Sequence, residues 1–197
     1  ARWCPASSAP HRGPDKPPVG KIAQLPEELR AWLHKTFVER AIGDIVALQC
    51  VYHTGELWVH PRQQGWSDME WQIRNWLYFT WLSGDHYVEQ HVHNLDTMNW
   101  VLGAHPIKAS GMGGRQARTS VEYGHIYDHF AVEFEYPNGV TVFSQCRQIN
   151  QCANNVSEMI VGTAGSSNAA NRIDPKKGDP WRFGGKPASA YRLTHED

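Results

Sequence analysis

The 197-residue chain is poor in cysteine, has no basic patch and no long apolar run, and each lack removes a class of protein. Nineteen Lys and Arg face twenty Asp and Glu, for a net charge of -1, so nucleic acid is not an expected partner. No apolar run approaches the roughly eighteen residues of a membrane span, so no membrane partner is expected either. No charged segment leading into an apolar one opens the chain, although a removed leader would leave no trace. The four cysteines, Cys4, Cys50, Cys146 and Cys152, form no CxxC pair, which excludes a zinc ribbon or a thioredoxin motif. Cys50 lies in an apolar strand pattern and reads as a buried thiol, while Cys146 and Cys152 are placed to pair across a turn or to stay free. A reducing, cytoplasmic compartment is the default expectation. Gly111-Met112-Gly113-Gly114-Arg115 lacks the GxGxxG spacing and opens no helix, so it is not a nucleotide loop.

What the chain does have is aromatic and imidazole chemistry: nine Trp and eleven His, in a chain whose 41% hydrophobic content supports one ordinary core. A flat ring stacks on the apolar face of a sugar, and Trp is also ordinary core material. Residues 1–26 are Pro- and Ser-rich without periodicity and read as an irregular arm. Pro26-Glu27-Glu28 starts a helix that runs to about Arg40, with Pro in the first turn and acids near the positive dipole end. Ile45 to His53 reads as a buried strand, followed by a long loop, 54–68, that carries Trp58, His60, Arg62 and Trp66. Met69 to Leu82 reads as a Trp-rich helix. From Pro106 the pattern alternates: strands at 107–115, 127–136, 140–148 and 157–162, with a hairpin turn at Pro137-Asn138-Gly139. In the second of these, His125, Tyr127 and His129 are expected on one face and Ile126, Phe130, Val132 and Phe134 on the other. After Gly165 the chain reads as loop. The expected organisation is therefore an arm at 1–26, a single α+β domain at 27–165 and a loop-rich tail at 166–197.

The densest chemistry is Ser83-Gly84-Asp85-His86-Tyr87-Val88-Glu89-Gln90-His91-Val92-His93-Asn94-Leu95-Asp96, with three histidines and three carboxylates. At about 100° per residue, Glu89, His93, Asp96 and Trp100 share one helix face, with His86 at its edge. Val88, Val92, Leu95, Asn99 and Leu102 share the other, and His91 falls toward that apolar side, where it reads as a core histidine. Glu89 and His93 are four apart and so are expected to be neighbours. A carboxylate beside an imidazole is a proton-transfer pair or half of a metal site.

Gly43-Asp44-Ile45, the segment Glu89–Asp96 running on to Trp100-Val101-Leu102-Gly103, Tyr127-Asp128-His129-Phe130, Tyr136-Pro137-Asn138-Gly139 and Ile160–Gly165 together resemble the C-terminal domain of the Gfo/Idh/MocA family. That family holds the glucose–fructose oxidoreductase and inositol dehydrogenase relatives. Gly65-Trp66-Ser67-Asp68-Met69-Glu70-Trp71 resembles the Trp-rich insertion of its bacterial branch, and the resemblance covers roughly residues 40–165. It implies a mixed, largely antiparallel open sheet with helices on one face. It also implies a sugar held on the motif helix, against a Rossmann domain that binds NAD(P). The family's conserved Asp falls on Glu89, its catalytic His on His93 and a Gly on His91. The sheet's uncovered face packs on a second copy in the family, so a homo-oligomer is expected.

The departure is that nothing before residue 40 reads as a dinucleotide-binding βαβ unit. Asp15-Lys16-Pro17 echoes the family's Glu-Lys-Pro, but no strand follows it, so the echo reads as chance. The Pro-rich arm favours a natural short protein over a trimmed domain. Without a nucleotide there is no hydride acceptor. The expectation is then a metal-dependent, NAD-independent carbohydrate enzyme, a glycoside hydrolase or lyase. His53, Glu89, His93 and His125 would converge on one divalent ion, Zn²⁺ or Mn²⁺, and no NAD(P) would bind. Glu89, His93, Tyr127, Asp128 and His129 would carry the chemistry; His86, Trp58, Trp66, Trp100 and Arg147 would hold the sugar. Two alternatives stay open: a fragment or relative of an NAD(P)-dependent sugar oxidoreductase, and a non-catalytic sugar-binding or oligomerisation module.

Overall fold

A computed structural model describes residues 41–169 and 172–182. The Pro-rich arm and the helix expected at 26–40 lie outside the described residues, as does most of the expected tail. Eight strands among the described residues form one sheet: β1 (Ile45–Thr54), β2 (Lys108–Gly114), β3 (His129–Glu135), β4 (Thr141–Gln148), β5 (Asn155–Gly162), β6 (Gly165–Ser167), β7 (Arg172–Pro175) and β8 (Trp181–Arg182). Their order is β2-β3-β4-β1-β5-β6-β7-β8. β1 and β4 run parallel and every other pair is antiparallel. This is the expected mixed, mostly antiparallel open sheet. The stretch after Gly165, read above as loop, instead adds β6, β7 and β8 to one edge.

Strand alternation sorts the sheet into two faces. Leu48, Cys50, Val142 and Ile160 point toward the helices and are buried with Met98, Val101, Tyr136 and Ile173. Full burial of a side chain such as Leu48 or Met98 stabilises by about 1.5–3 kcal/mol. The opposite face is uncovered around Phe143, Met159 and Val161, which are 47%, 53% and 39% exposed.

The two expected helical stretches are each broken. The first becomes α1 (Asp68–Arg74), a 3-10 turn (Trp76–Tyr78) and α2 (Thr80–Ser83). Asn75 is the cause, because a short amide can take backbone groups away from the helix. It is fully buried; its Nδ2 donates to the carbonyls of Trp71 and His60, and its Oδ1 accepts from the His60 amide at 2.8 Å. That clamp pins the long loop onto the end of α1. A second cluster of Trp71, Leu77, Tyr78, Phe79 and Ile126 packs beneath it.

The motif stretch becomes α3 (His86–Glu89) and α4 (Val92–Leu102), with Gln90 and His91 between them. Across the break the His91 amide reaches back to the His86 carbonyl, and the helical phase is not carried through. The buried face of α4 is consequently Asn94, Met98 and Val101, with His91 buried just before it. Val88 and Val92, expected inside, are 56% and 41% exposed. None of the described helices is long and apolar enough to cross a membrane.

Candidate functional site

A polar centre forms where the lead-in to β3 meets the start of α3. Gly84 closes α2 at φ 71°, and Asp85 follows at φ 78°, a region that a residue with a Cβ rarely adopts. The strain is held by the Asp85 carboxylate. Oδ1 accepts from the His86 amide at 2.6 Å, and Oδ2 accepts from the Tyr127 amide at 2.9 Å. Burial raises the Asp85 pKa, against the pull of these hydrogen bonds and of Arg118.

Arg118 lies beside this cap, 1% exposed. Its guanidinium donates to the Gln148 side chain and, at 2.8 Å, to the Tyr127 carbonyl. It also sits 5.8 and 5.9 Å from the Tyr78 and Tyr123 rings. Asp128, fully buried, accepts on Oδ2 from the amides of Gln116, Ala117 and Arg118 at 2.8, 2.7 and 3.0 Å. Its Oδ1 lies 2.6 Å from His129 Nδ1. Burial alone would push this carboxyl up; the hydrogen bonds outweigh it and hold the pKa at about 2. Asp128 is therefore ionised at neutral pH and saturated with donors, which suits it to holding the 116–118 turn rather than to moving protons.

His86, expected to be a sugar ligand, is fully buried, with neither ring nitrogen hydrogen-bonded among the described residues. Burial, then the nearby Arg118 and His91, lowers its pKa to about 3. It is a neutral core ring packed edge-on to Tyr52 at 5.7 Å. His91 is also buried, with Nε2 2.7 Å from Ser144 Oγ, and burial lowers its pKa to about 4. Tyr87 reaches the same Ser144 hydroxyl at 2.6 Å. Glu89 is half-buried and His93 exposed at the α3–α4 break. Among the described residues no hydrogen bond or ion pair joins them, and the His93 amide bonds to Gln90 rather than to Glu89.

The expected metal site is not assembled. No group of three or more His, Cys, Asp or Glu among the described residues is arranged to hold an ion. The reason is strand parity. Tyr52 points to the helix side, where its hydroxyl bonds Gln90, so His53 must point to the uncovered face. There it stands in one register row with Asn155, Arg147 and His129. The sheet thus separates His53 from Glu89 and His93. His125 lies elsewhere again, its amide on the Tyr78 carbonyl and its ring 5.5 Å from Phe79.

The same parity parts His129 and Arg147, on the uncovered face, from the motif helix. Tyr127 leaves the face expected for it, because the backbone is irregular before His129; its ring packs on Phe130 at 5.4 Å, on the helix side. The three tryptophans expected to hold the sugar also lie in different settings. Trp58 stands with His60 and Trp76 at 5.0 and 6.1 Å, Trp66 lies under the Arg74 guanidinium at 4.6 Å, and Trp100 packs against the main core. Cys50, Cys146 and Cys152 are free thiols, so no bridge closes the 146–152 turn.

Residues that sequence reading passed over organise the centre: Asp85, Arg118, Gln148, Ser144, Tyr52 and Gln90. Asp85 carried a usable signal, an acid directly after a glycine and before a helical start. Arg118 and Gln148 carried none, since their pairing joins a turn to a strand thirty residues away.

A model of the GFO/IDH/MocA C-terminal domain matches residues 31–168, well over half of the chain. The chain belongs to the Gfo/Idh/MocA C-terminal domain family. Solved structures share the fold. The aldose-aldose oxidoreductase of Caulobacter crescentus, complexed with glycerol, matches with TM-score 0.63 and 14% identity over 89% of this chain and 50% of that one. An oxidoreductase of Thermotoga maritima matches with TM-score 0.59 and 17% identity over 89% and 49%. The WlbA dehydrogenase of Bordetella pertussis, in complex with NADH and UDP-GlcNAcA, matches with TM-score 0.52 and 17% identity over 80% and 44%. No curated protein matches the chain. The chain spans about half the length of these solved structures.

These findings overturn the expectation of a metal-dependent, NAD-independent glycosidase or lyase. The three solved structures above are oxidoreductases or a dehydrogenase, one of them holding NADH, and the expected metal ligands are not brought together among the described residues. The glycine-rich stretch 111–114 is edge strand β2 and leads into a loop rather than a helix N-terminus.

Proposed function

We propose that this chain is the sugar-side domain of an NAD(P)-linked sugar oxidoreductase, with the nucleotide held by a separate domain. The family match carries the reading, because it spans the Glu89–Asp96 segment in a fold shared with sugar-handling oxidoreductases. The chain's part is to bind and orient the sugar and to move a hydroxyl proton. Glu89 and His93, at the accessible break between α3 and α4, are the groups for that step; a placed acid or base contributes about 10²–10⁴-fold in rate. Trp58 and Trp76, 40% and 39% exposed, offer rings for stacking a sugar face.

The test titrates the chain with glucose and with a nucleotide sugar, followed by ligand-observed NMR. Saturable binding that His93→Ala weakens at least tenfold is the expected result. His93 is exposed, so this variant should fold normally. Absence of saturable binding to either probe would sink the reading.

A homo-oligomer through the uncovered sheet face belongs to the same proposal, since Phe143, Met159 and Val161 leave an apolar surface on that face. A dimer or larger species in light scattering, reduced to monomer by Phe143→Glu, is expected; a monomeric parent protein would refute it. The free, buried Cys50 and Cys146 suit a cytoplasmic location.

A further inference from the structure

We propose that Tyr52 and Gln90 are positioning residues that aim the Glu89 carboxylate through a two-link hydrogen-bond chain anchored in the sheet; this rests on the reading of Glu89 as a sugar-facing group. The Tyr52 hydroxyl donates to Gln90 Oε1 at 2.7 Å, and Gln90 Nε2 donates to Glu89 Oε2 at 2.5 Å. Chemistry dictates the direction. A carboxylate only accepts, so the amide nitrogen must face Glu89, the amide oxygen must face Tyr52, and the phenol must donate. Burial, and then the Glu89 charge, raise the Tyr52 pKa, which keeps that donor protonated.

The anchor is rigid. Tyr52 sits in central strand β1, between β4 and β5, with its ring edge-on to His86 and His91 at 5.7 and 6.4 Å. Gln90 caps α3 directly after Glu89, in the break before α4, so the two side chains are neighbours at the end of a single helical turn. The chain occupies Oε2 and leaves Oε1 of Glu89 without a partner among the described residues, available to a ligand hydroxyl. A half-exposed Glu with free rotamers would sample many directions; this one is held in one.

The test uses the chain itself. The side-chain amide of Gln90 reports the bonds by NMR, and titration with glucose reports the site. Tyr52→Phe keeps the ring packing, so it should leave the unfolding midpoint near that of the parent. It should shift the Gln90 amide signals, speed their exchange with water and weaken glucose binding about tenfold, the scale of one hydrogen bond. Gln90→Met should do the same to binding. The double variant should be no weaker than Gln90→Met, because links in series are lost once; independent contributions would multiply to about a hundredfold. Unmoved Gln90 signals in Tyr52→Phe, or a multiplied loss in the double variant, overturn the proposal. If Glu89→Gln leaves glucose binding unchanged while Tyr52→Phe still moves the Gln90 signals, the bonds stand and the sugar-facing reading of Glu89 falls.

Discussion

Replacing Asp128 by Asn should lower stability by about 2 kcal/mol at neutral pH, and the loss should vanish in acid. Asn keeps the shape and one acceptor oxygen, so the packing of this fully buried side chain survives. What it loses is the charge that three backbone amides and His129 stabilise. Those partners hold the Asp128 carboxyl at about 2 against an ordinary 3.8. A depression of close to two pH units corresponds to roughly 2.4 kcal/mol, trimmed toward 2 because the 116–117 turn is open to solvent. The sign follows from the depression. The unfolded carboxyl takes up its proton first as pH falls, so the stabilisation is complete above about pH 4 and disappears as pH approaches 2. The measurement is urea unfolding of both proteins by Trp fluorescence at several pH values, reading only the difference between them. A difference below about 0.5 kcal/mol at neutral pH, or one that stays constant down to pH 2, would refute this account of Asp128.

Stability itself should fall in acid from a second source. Burial lowers His86 to about 3 and His91 to about 4, so the unfolded imidazoles protonate first and stability drops below pH 6.5 by about 1.4 kcal/mol per pH unit for each ring; His86→Phe should remove one of the two slopes in a pH series of melts. A Cβ on Gly162 would overlap the Ile42 carbonyl oxygen, so Gly162→Ala should cost about 1–3 kcal/mol, and an unshifted thermal midpoint would contradict the packing described. Iodoacetamide should label exposed Cys152 in the native protein and spare Cys50, buried with its thiol pushed up to about 12, and Cys146, likewise raised by burial. Site-resolved mass spectrometry in which Cys50 reacts as fast as Cys152 would refute that.

Local chemistry was enough for the elements with local causes. The apolar run from Ile45 to His53, the Pro137-Asn138-Gly139 turn between two alternating stretches, and the switch from helical to strand patterning near Pro106 led to an α+β fold, and the family resemblance added the mixed sheet. The motif residues around Glu89 and His93 led to the family. Each of these signals sits within about ten residues, where backbone preference and side-chain alternation act directly.

Tertiary structure decided everything that depends on a partner far along the chain. His53 faces away from Glu89 because β1 lies between β4 and β5, with helices on the Tyr52 side only; alternation says that neighbours differ in face, not which face meets the helices. The break at Asn75 depends on a loop amide fifteen residues earlier, and that at Gln90 accompanies a bond to a strand tyrosine thirty-eight residues earlier. Asp128 holds the 116–118 turn because three of its amides converge on one carboxylate oxygen, a contact ten to twelve residues away in the chain. β6 to β8 are too short to show periodicity and exist as strands because β5 offers an edge to pair with. Composition and spacing determined which polar and aromatic groups the chain carries. Which of them share a face was set by register, because moving one position along a strand carries a side chain to the opposite side of the sheet.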